Sequence, residues 1–216
     1  MDIIKPLPQF LTQRFREWKA TGFGRNRELY ETLAVHGQHP RTMVISCCDS
    51  RVHATTMFAT DPGEFFIHRN IAALVPPYDP NGGRLGTPAA VEYAVRALRV
   101  SHILVLGHSD CGGVRGCIDM CSNPDSTLAR DYRFVGPWLD MLRPAHDRVA
   151  TIRDAHRRQM ALEREAVVTS LENLTTFPFV RNAAEAGELT LHGLWHDIGP
   201  GSIWAYDRTT GEFSEL

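Results

Sequence analysis

No apolar run in the 216-residue chain approaches the roughly 20 residues that a transmembrane helix needs. An excess of charge is missing too. The 23 Lys and Arg side chains face 25 Asp and Glu, a formal net charge of -2 at pH 7, which gives no electrostatic reason to expect nucleic acid or an anionic membrane as partner. There is no internal repeat and no low-complexity linker, so this length suits one domain, or one domain with helical extensions. The opening MDIIKPLPQFL lacks a basic start and carries prolines where a signal peptide has its apolar stretch, which predicts a cytoplasmic protein. Cysteine is sparse and odd in number: Cys47, Cys48, Cys111, Cys117 and Cys121. Without a secretion signal, that set argues against a disulfide framework and leaves metal binding or catalysis open.

What is present is an alternation of helical and strand patterns. Gln9 to Lys19 carries Phe10, Leu11, Phe15 and Trp18 at helical spacing, and Asn26 is placed to cap a second helix that Gly37 ends. Thr42 to Cys47, Glu64 to His68 and His102 to Leu106 are short apolar runs of the kind buried strands have. A Pro-, Asn- and Gly-rich loop over 75–84 precedes a helix that Thr87 and Pro88 are placed to start. Gly112 and Gly113 open another, and Arg143 to Leu174 reads as one long helical stretch. Leu189 to Trp195 and Ser202 to Asp207 form a strand pair around Gly199-Pro200-Gly201. The expectation is an α/β fold with a mainly parallel central sheet flanked by helices, N-terminal helices and a C-terminal strand pair. Residues 1–40 are read as an N-terminal helical extension and 41–216 as the α/β domain.

Two segments place metal-ligand types just past the ends of predicted buried strands: Cys47-Cys48-Asp49-Ser50-Arg51 and His108-Ser109-Asp110-Cys111-Gly112-Gly113. Open parallel sheets put their binding crevice at those ends, so the two can meet in space. His108 and Cys111 on a loop turning into a helix, joined by Cys47, give two sulfurs and one nitrogen, a set that suits zinc and leaves a fourth position free. Alone, the His-x-x-Cys spacing also fits a buried cysteine beside a helix-capping histidine. Two thiolates and a neutral imidazole make the ion formally neutral and a weaker Lewis acid, so neighbouring groups must compensate. Asp49 is placed to accept a hydrogen bond from the reacting water and Arg51 to keep that carboxylate ionised; the plainer reading is a surface ion pair worth about 0–1 kcal/mol. Cys117 and Cys121, four apart on a helix, read as small core residues.

Cys47-x-Asp49-x-Arg51 with the later His108-x-x-Cys111 resembles the signature of beta-class carbonic anhydrases of the plant-like subgroup. The likeness extends through His68-Arg69-Asn70-Ile71-Ala72, Gly86-Thr87, Glu92-Tyr93-Ala94-Val95, Ser170-Leu171-Glu172-Asn173 and Leu191-His192-Gly193, covering about Gln38 to Asp207. The resemblance implies reversible hydration of carbon dioxide with one zinc per chain on Cys47, His108 and Cys111. It also implies that Asp49 can close the site at low pH by taking the water's place on the metal. Gln38 matches a substrate-binding glutamine, Phe66, Ile71 and Tyr93 match an apolar pocket, partly supplied across a dimer interface, and Gly112 matches a backbone contact beside the metal. A homodimer or larger homo-oligomer is therefore expected, with neither nucleic acid nor membrane as partner. Hydrolysis of carbonyl sulfide or carbon disulfide, or a non-catalytic zinc-binding role beside an inorganic-carbon transporter or shell, are the alternatives. Two departures stand out: Cys48 replaces a serine or other small residue, and Val44 occupies the place of a tryptophan that forms an inhibitory bicarbonate site in a related group.

Overall fold

The computed structural model describes residues 3–82 and 85–216. Six strands form one sheet: β1 Thr42–Cys47, β2 Phe65–Asn70, β3 His102–His108, β4 Thr190–Asp197, β5 Ser202–Asp207 and β6 Glu212–Glu215, in the order β2-β1-β3-β4-β5-β6. The first four neighbours run parallel, and β4-β5-β6 is an antiparallel meander. The mainly parallel sheet and C-terminal strand pair expected from sequence are therefore present, with β6 added.

The main helices are α1 Gln9–Ala20, α2 Arg27–His36, α3 Gly86–Glu92, α4 Gly112–Ser122, α5 Arg143–Val149, α6 Ala155–Thr176 and α7 Pro178–Glu185. Side-chain alternation along β1 explains the layers. Met43 and Ile45 pack with Ile103, Val105, Val167 and Phe177, beneath α6 and α7, whereas Val44 points to the other face with Val52, Ala54, Leu106 and Leu194. Both faces of the central strands are covered, which is why they read as unbroken apolar runs. Arg164 of α6 lies 4.5 Å from the Trp195 ring, 4.8 Å from Trp204 and 5.6 Å from Phe213; these cation–π contacts tie the meander to the long helix. By contrast, α1 and α2 contain no buried residue. Aromatic side chains of these helices and of the turn between them pack on one another, with Trp18 5.7 Å from Phe23 and 6.0 Å from Tyr30.

Three local expectations need correction. The helical stretch from Arg143 is broken over 150–154, because Asp154 starts a new helix by accepting the Arg157 N–H at 2.7 Å. Thr87 does not cap α3, which begins at Gly86. Its hydroxyl instead meets His68 Nε2 at 2.9 Å and accepts from Asn70 Nδ2 at 3.2 Å. Asn26 does precede α2, yet its side chain makes no capping bond. In the predicted loop over 75–84, Gly83 and Arg84 lie outside the described residues.

Candidate metal centre

Because β1 and β3 are parallel neighbours, with Ser46 opposite Leu106, their C-terminal ends deliver Cys47 and His108 side by side. The chain then turns through Asp110, at φ 54°, and enters α4 with Cys111 as its N-cap. Cys47, His108 and Cys111 are 5%, 1% and 2% exposed, and their ligand atoms all lie within 4.8 Å of one another.

The chemistry of these three fits a zinc ion. His108 Nδ1 lies 2.8 Å from the Ser109 carbonyl, so that nitrogen carries the proton. Nε2 is left with a free lone pair, buried and without a hydrogen-bond partner; an orphaned buried nitrogen beside two sulfurs is what a metal ion would take as a ligand. The Cys47 thiol is held down to about 4, chiefly by the hydrogen bond from Cys111, against burial and with help from His108. The Asp49 N–H reaches the same sulfur at 3.4 Å. Cys111 is pushed up by that sharing with Cys47 and by burial, although the Gly113 and Val114 N–H groups favour its thiolate. The two sulfurs thus share one proton, which a cation would displace.

Beside the cluster stands an ion pair built on a two-residue spacing. Asp49 Oδ1 accepts from both the Arg51 backbone N–H and Nε at 2.9 Å, and Oδ2 accepts from Nη2 at 2.7 Å. The Arg51 hydrogen bonds hold the Asp49 carboxyl well below the usual carboxylate range. Asp49 lies outside the metal-ligating cluster and is committed to Arg51.

Ile71 and Gly112 flank the cluster. Ile71 follows the end of β2 and is 39% exposed. A Cβ on Gly113 would stand 2.8 Å from Ile71 Cγ2 and 3.0 Å from the Ala72 Cβ, so the absent side chain lets the ligand helix close on this turn. A Cβ on Gly112 would meet nothing within 4 Å. The other sequence-predicted residues are elsewhere in the chain. Phe66 pairs with Met43, four residues before Cys47 and so roughly 13 Å along the strand, and packs against Tyr93 at 5.8 Å. Gln38 precedes β1 and is exposed, beside His39, which lines a hollow with Thr42, Phe65 and His102 at the opposite, N-terminal end of the strands. Val44 is fully buried, and Cys48 is exposed. Cys117 is 1% exposed, with its thiol pushed up to about 12 by burial and Cys121, while Cys121 is half-buried.

Two residues that sequence reasoning left without a role support the site from behind. Arg69 of β2 donates to the carbonyls of Cys47 at 2.9 Å, Asp49 at 2.7 Å and Val52 at 2.9 Å, holding the whole loop after β1. Glu163 of α6 accepts the Cys111 N–H at 3.0 Å; burial pushes its carboxyl up while the bonds from Gln159 and Cys111 oppose that. The His-Arg-Asn run around Arg69 was the one signal that pointed here.

Comparison with known proteins agrees with this geometry. The family model described as carbonic anhydrase matches residues 42–203. A carbonic anhydrase of Pseudomonas aeruginosa is 37% identical over 208 residues, 94% of this chain and 89% of the relative. Beta carbonic anhydrase 3 of Arabidopsis thaliana is 35% identical over 206 residues, 93% of this chain and 78% of the relative. Among solved structures, the beta-carbonic anhydrase CcaA matches with a TM-score of 0.88 at 31% identity, covering 96% of this chain and 91% of its own. A tetrameric beta-carbonic anhydrase from Sordaria macrospora matches at 0.76 and 32%, with coverages of 91% and 94%. A family match over most of the chain, including all three residues of the buried sulfur and imidazole cluster, leaves one assignment: the chain belongs to the carbonic anhydrases of the beta class.

Proposed function

We propose that this protein reversibly hydrates carbon dioxide to bicarbonate and a proton, using one zinc ion per chain held by Cys47, His108 and Cys111. The observation that carries the reading is the unpartnered His108 Nε2 facing two thiols, next to a carboxylate fixed by a bidentate arginine. Zinc bound there would supply Lewis acidity that makes water nucleophilic near neutral pH. Asp49 would accept a hydrogen bond from that water and so turn a lone pair toward the substrate. Arg51 keeps Asp49 ionised and oriented, which leaves the carboxylate free for this task rather than for the metal. Carbon dioxide is apolar and small, and Ile71 gives it an apolar wall at the mouth. Gly112, with no side chain, keeps that mouth open.

The pocket is completed by a second copy of the chain, which supplies its Gln38, Phe66 and Tyr93. Their distance from Cys47 within one chain supports this arrangement. So do the exposed apolar side chains of residues 1–40, read as an arm that covers itself against the second copy: Phe10 is 58% and Phe15 53% exposed. Its relatives include a protein described as tetrameric, and a homo-oligomer of at least two chains is the form proposed. All five cysteines are free thiols, which suits the reducing cytoplasm; no described helix is long and apolar enough to cross a membrane.

The deciding experiment is metal analysis with stopped-flow hydration on the protein and a Cys47→Ala variant, with carbonyl sulfide and carbon disulfide as control substrates. About one zinc per chain is expected, and activity that disappears with the metal. Full activity in zinc-free protein would overturn the assignment.

A further inference from the structure

The peptide unit joining Asp110 to Cys111 is held at both polar ends by side chains distant in sequence. Its carbonyl, on Asp110, accepts from Arg51 Nη2 at 3.2 Å; its N–H, on Cys111, donates to Glu163 Oε1 at 3.0 Å. The unit follows a residue in the left-handed region, φ 54° at Asp110, which a non-glycine residue keeps only where its surroundings hold it. The Asp110 carboxylate itself turns outward, 3.7 Å from Arg115.

Glu163 is built to do the holding. It is 3% exposed, and its Oε1 also accepts from Gln159 Nε2 at 3.0 Å, so the acceptor is itself fixed. Its helix is seated hard on β3: a Cβ on Gly107 would stand 2.6 Å from Val167 Cγ2 and 3.5 Å from the Glu163 carbonyl. A leucine would fill this space without the desolvation cost of a carboxylate. A buried N–H that would otherwise lack a partner explains the acceptor that is there.

We propose that Glu163 is a positioning residue for the reaction: by fixing the plane between Asp110 and Cys111 it sets the Cys111 sulfur on one side and the Arg51–Asp49 pair on the other. Rotation of that plane would disturb both. The Cα of Cys111 is one of its atoms, and the Arg51 Nη2 that grips its carbonyl also grips Asp49 Oδ2. The inference rests on the carbonic anhydrase reading above.

The test compares zinc-loaded wild type with Glu163→Leu and Glu163→Gln. The readouts are zinc release to a chelator, the visible spectrum of the cobalt-substituted protein, and turnover, with circular dichroism to check the fold. The leucine variant should release zinc faster and turn over more slowly, each by about 10-fold or more, with shifted cobalt bands. Glutamine keeps an acceptor oxygen and should restore most of each. A folded leucine variant with wild-type zinc release and cobalt spectrum overturns the proposal, as does a glutamine variant no better than leucine. If the leucine variant does not fold, Glu163→Asp withdraws the carboxylate by one methylene and carries the same test, with unchanged release and spectrum as the overturning result. Wild type that binds no zinc or does not hydrate carbon dioxide sinks the functional reading itself, and this inference with it.

Discussion

Arg51 holds Asp49 through its backbone N–H, Nε and Nη2, at 2.9, 2.9 and 2.7 Å, so the carboxylate is turned to the arginine and stands outside the sulfur and imidazole cluster. The Nη2 of Arg51 also holds the Asp110 carbonyl, but if the arginine's effect on turnover runs mainly through Asp49, the two residues form one functional unit. Arg51→Leu should then lower turnover by about 10-fold or more, and should cost little further on top of Asp49→Asn. Stopped-flow rates for the two single variants and the double variant decide it. Costs that simply multiply would show that the pair does not work as one.

Arg69 is a second clamp, and it acts on backbone alone. Its guanidinium serves three carbonyls of the loop from Cys47 to Val52, a task for a planar group with several donors. Arg69→Met should lower stability by about 2–4 kcal/mol, since hydrogen bonds to charged groups are among the stronger ones and three carbonyls lose their partner. Arg69→Lys, with a point charge in place of a fork, should recover only part of it. Urea denaturation of the zinc-loaded proteins measures both; a methionine variant as stable as wild type would remove Arg69 from the account.

The contrast between these clamps and the metal cluster shows what a sequence of this kind discloses. Cys47 and His108 were legible because each ends an apolar run buried on both faces and parallel strands end on the same side, and Cys111 because it follows His108 at a spacing that lets a turn into a helix present both. Arg69 and Glu163 were not, since their partners are backbone groups far away in sequence, and a carbonyl or N–H carries no residue type to read. Thr87 misled for a related reason: its position before Pro88 suits a cap, but His68 and Asn70 arrive from β2 and take its hydroxyl. The break before α6 was hidden because helical periodicity runs on across it, and only the capping bond of Asp154 reveals that the chain restarts. The short strand Glu212–Glu215 has one apolar side chain, Phe213, and little alternation to detect. Gln38, Phe66 and Tyr93 belong to a third class: their place came from family resemblance, and within this chain Phe66 pairs with Met43 and packs on Tyr93 rather than lying beside Cys47.

His68 gives a pH dependence of stability. Half-buried against Thr87, it has its pKa lowered from the ordinary 6.5 by burial. The unfolded chain therefore binds a proton that the folded one refuses. Stability is full above about pH 6.5 and falls as the pH drops toward the folded value. His192 and His196 are lowered for the same reason and add to the slope. Urea midpoints at pH 7.5 and 5.5 should differ less in a His68→Gln variant than in wild type, by the equivalent of up to about one proton. An identical slope in the two proteins would mean that His68 titrates normally when folded.

The placement of Gln38 at the far end of the strands from Cys47 makes a prediction about mixtures. If each site takes its glutamine from another copy, Gln38→Ala and Cys47→Ala chains are each defective alone for different reasons. A mixed dimer pairs an intact metal cluster on the first chain with an intact Gln38 on the second, and one of its two sites is then complete. Co-expression with two different affinity tags, followed by sequential capture, isolates that species. Its turnover per zinc should clearly exceed that of the pure Gln38→Ala protein, which carries the metal but lacks the substrate contact. Were Gln38 to serve the metal cluster of its own chain, the mixed dimer would hold no complete site and its zinc-normalised rate would match the pure Gln38→Ala value. The outcome separates the two geometries without a structure of the assembly, because only exchange between copies can rebuild a site from two damaged chains.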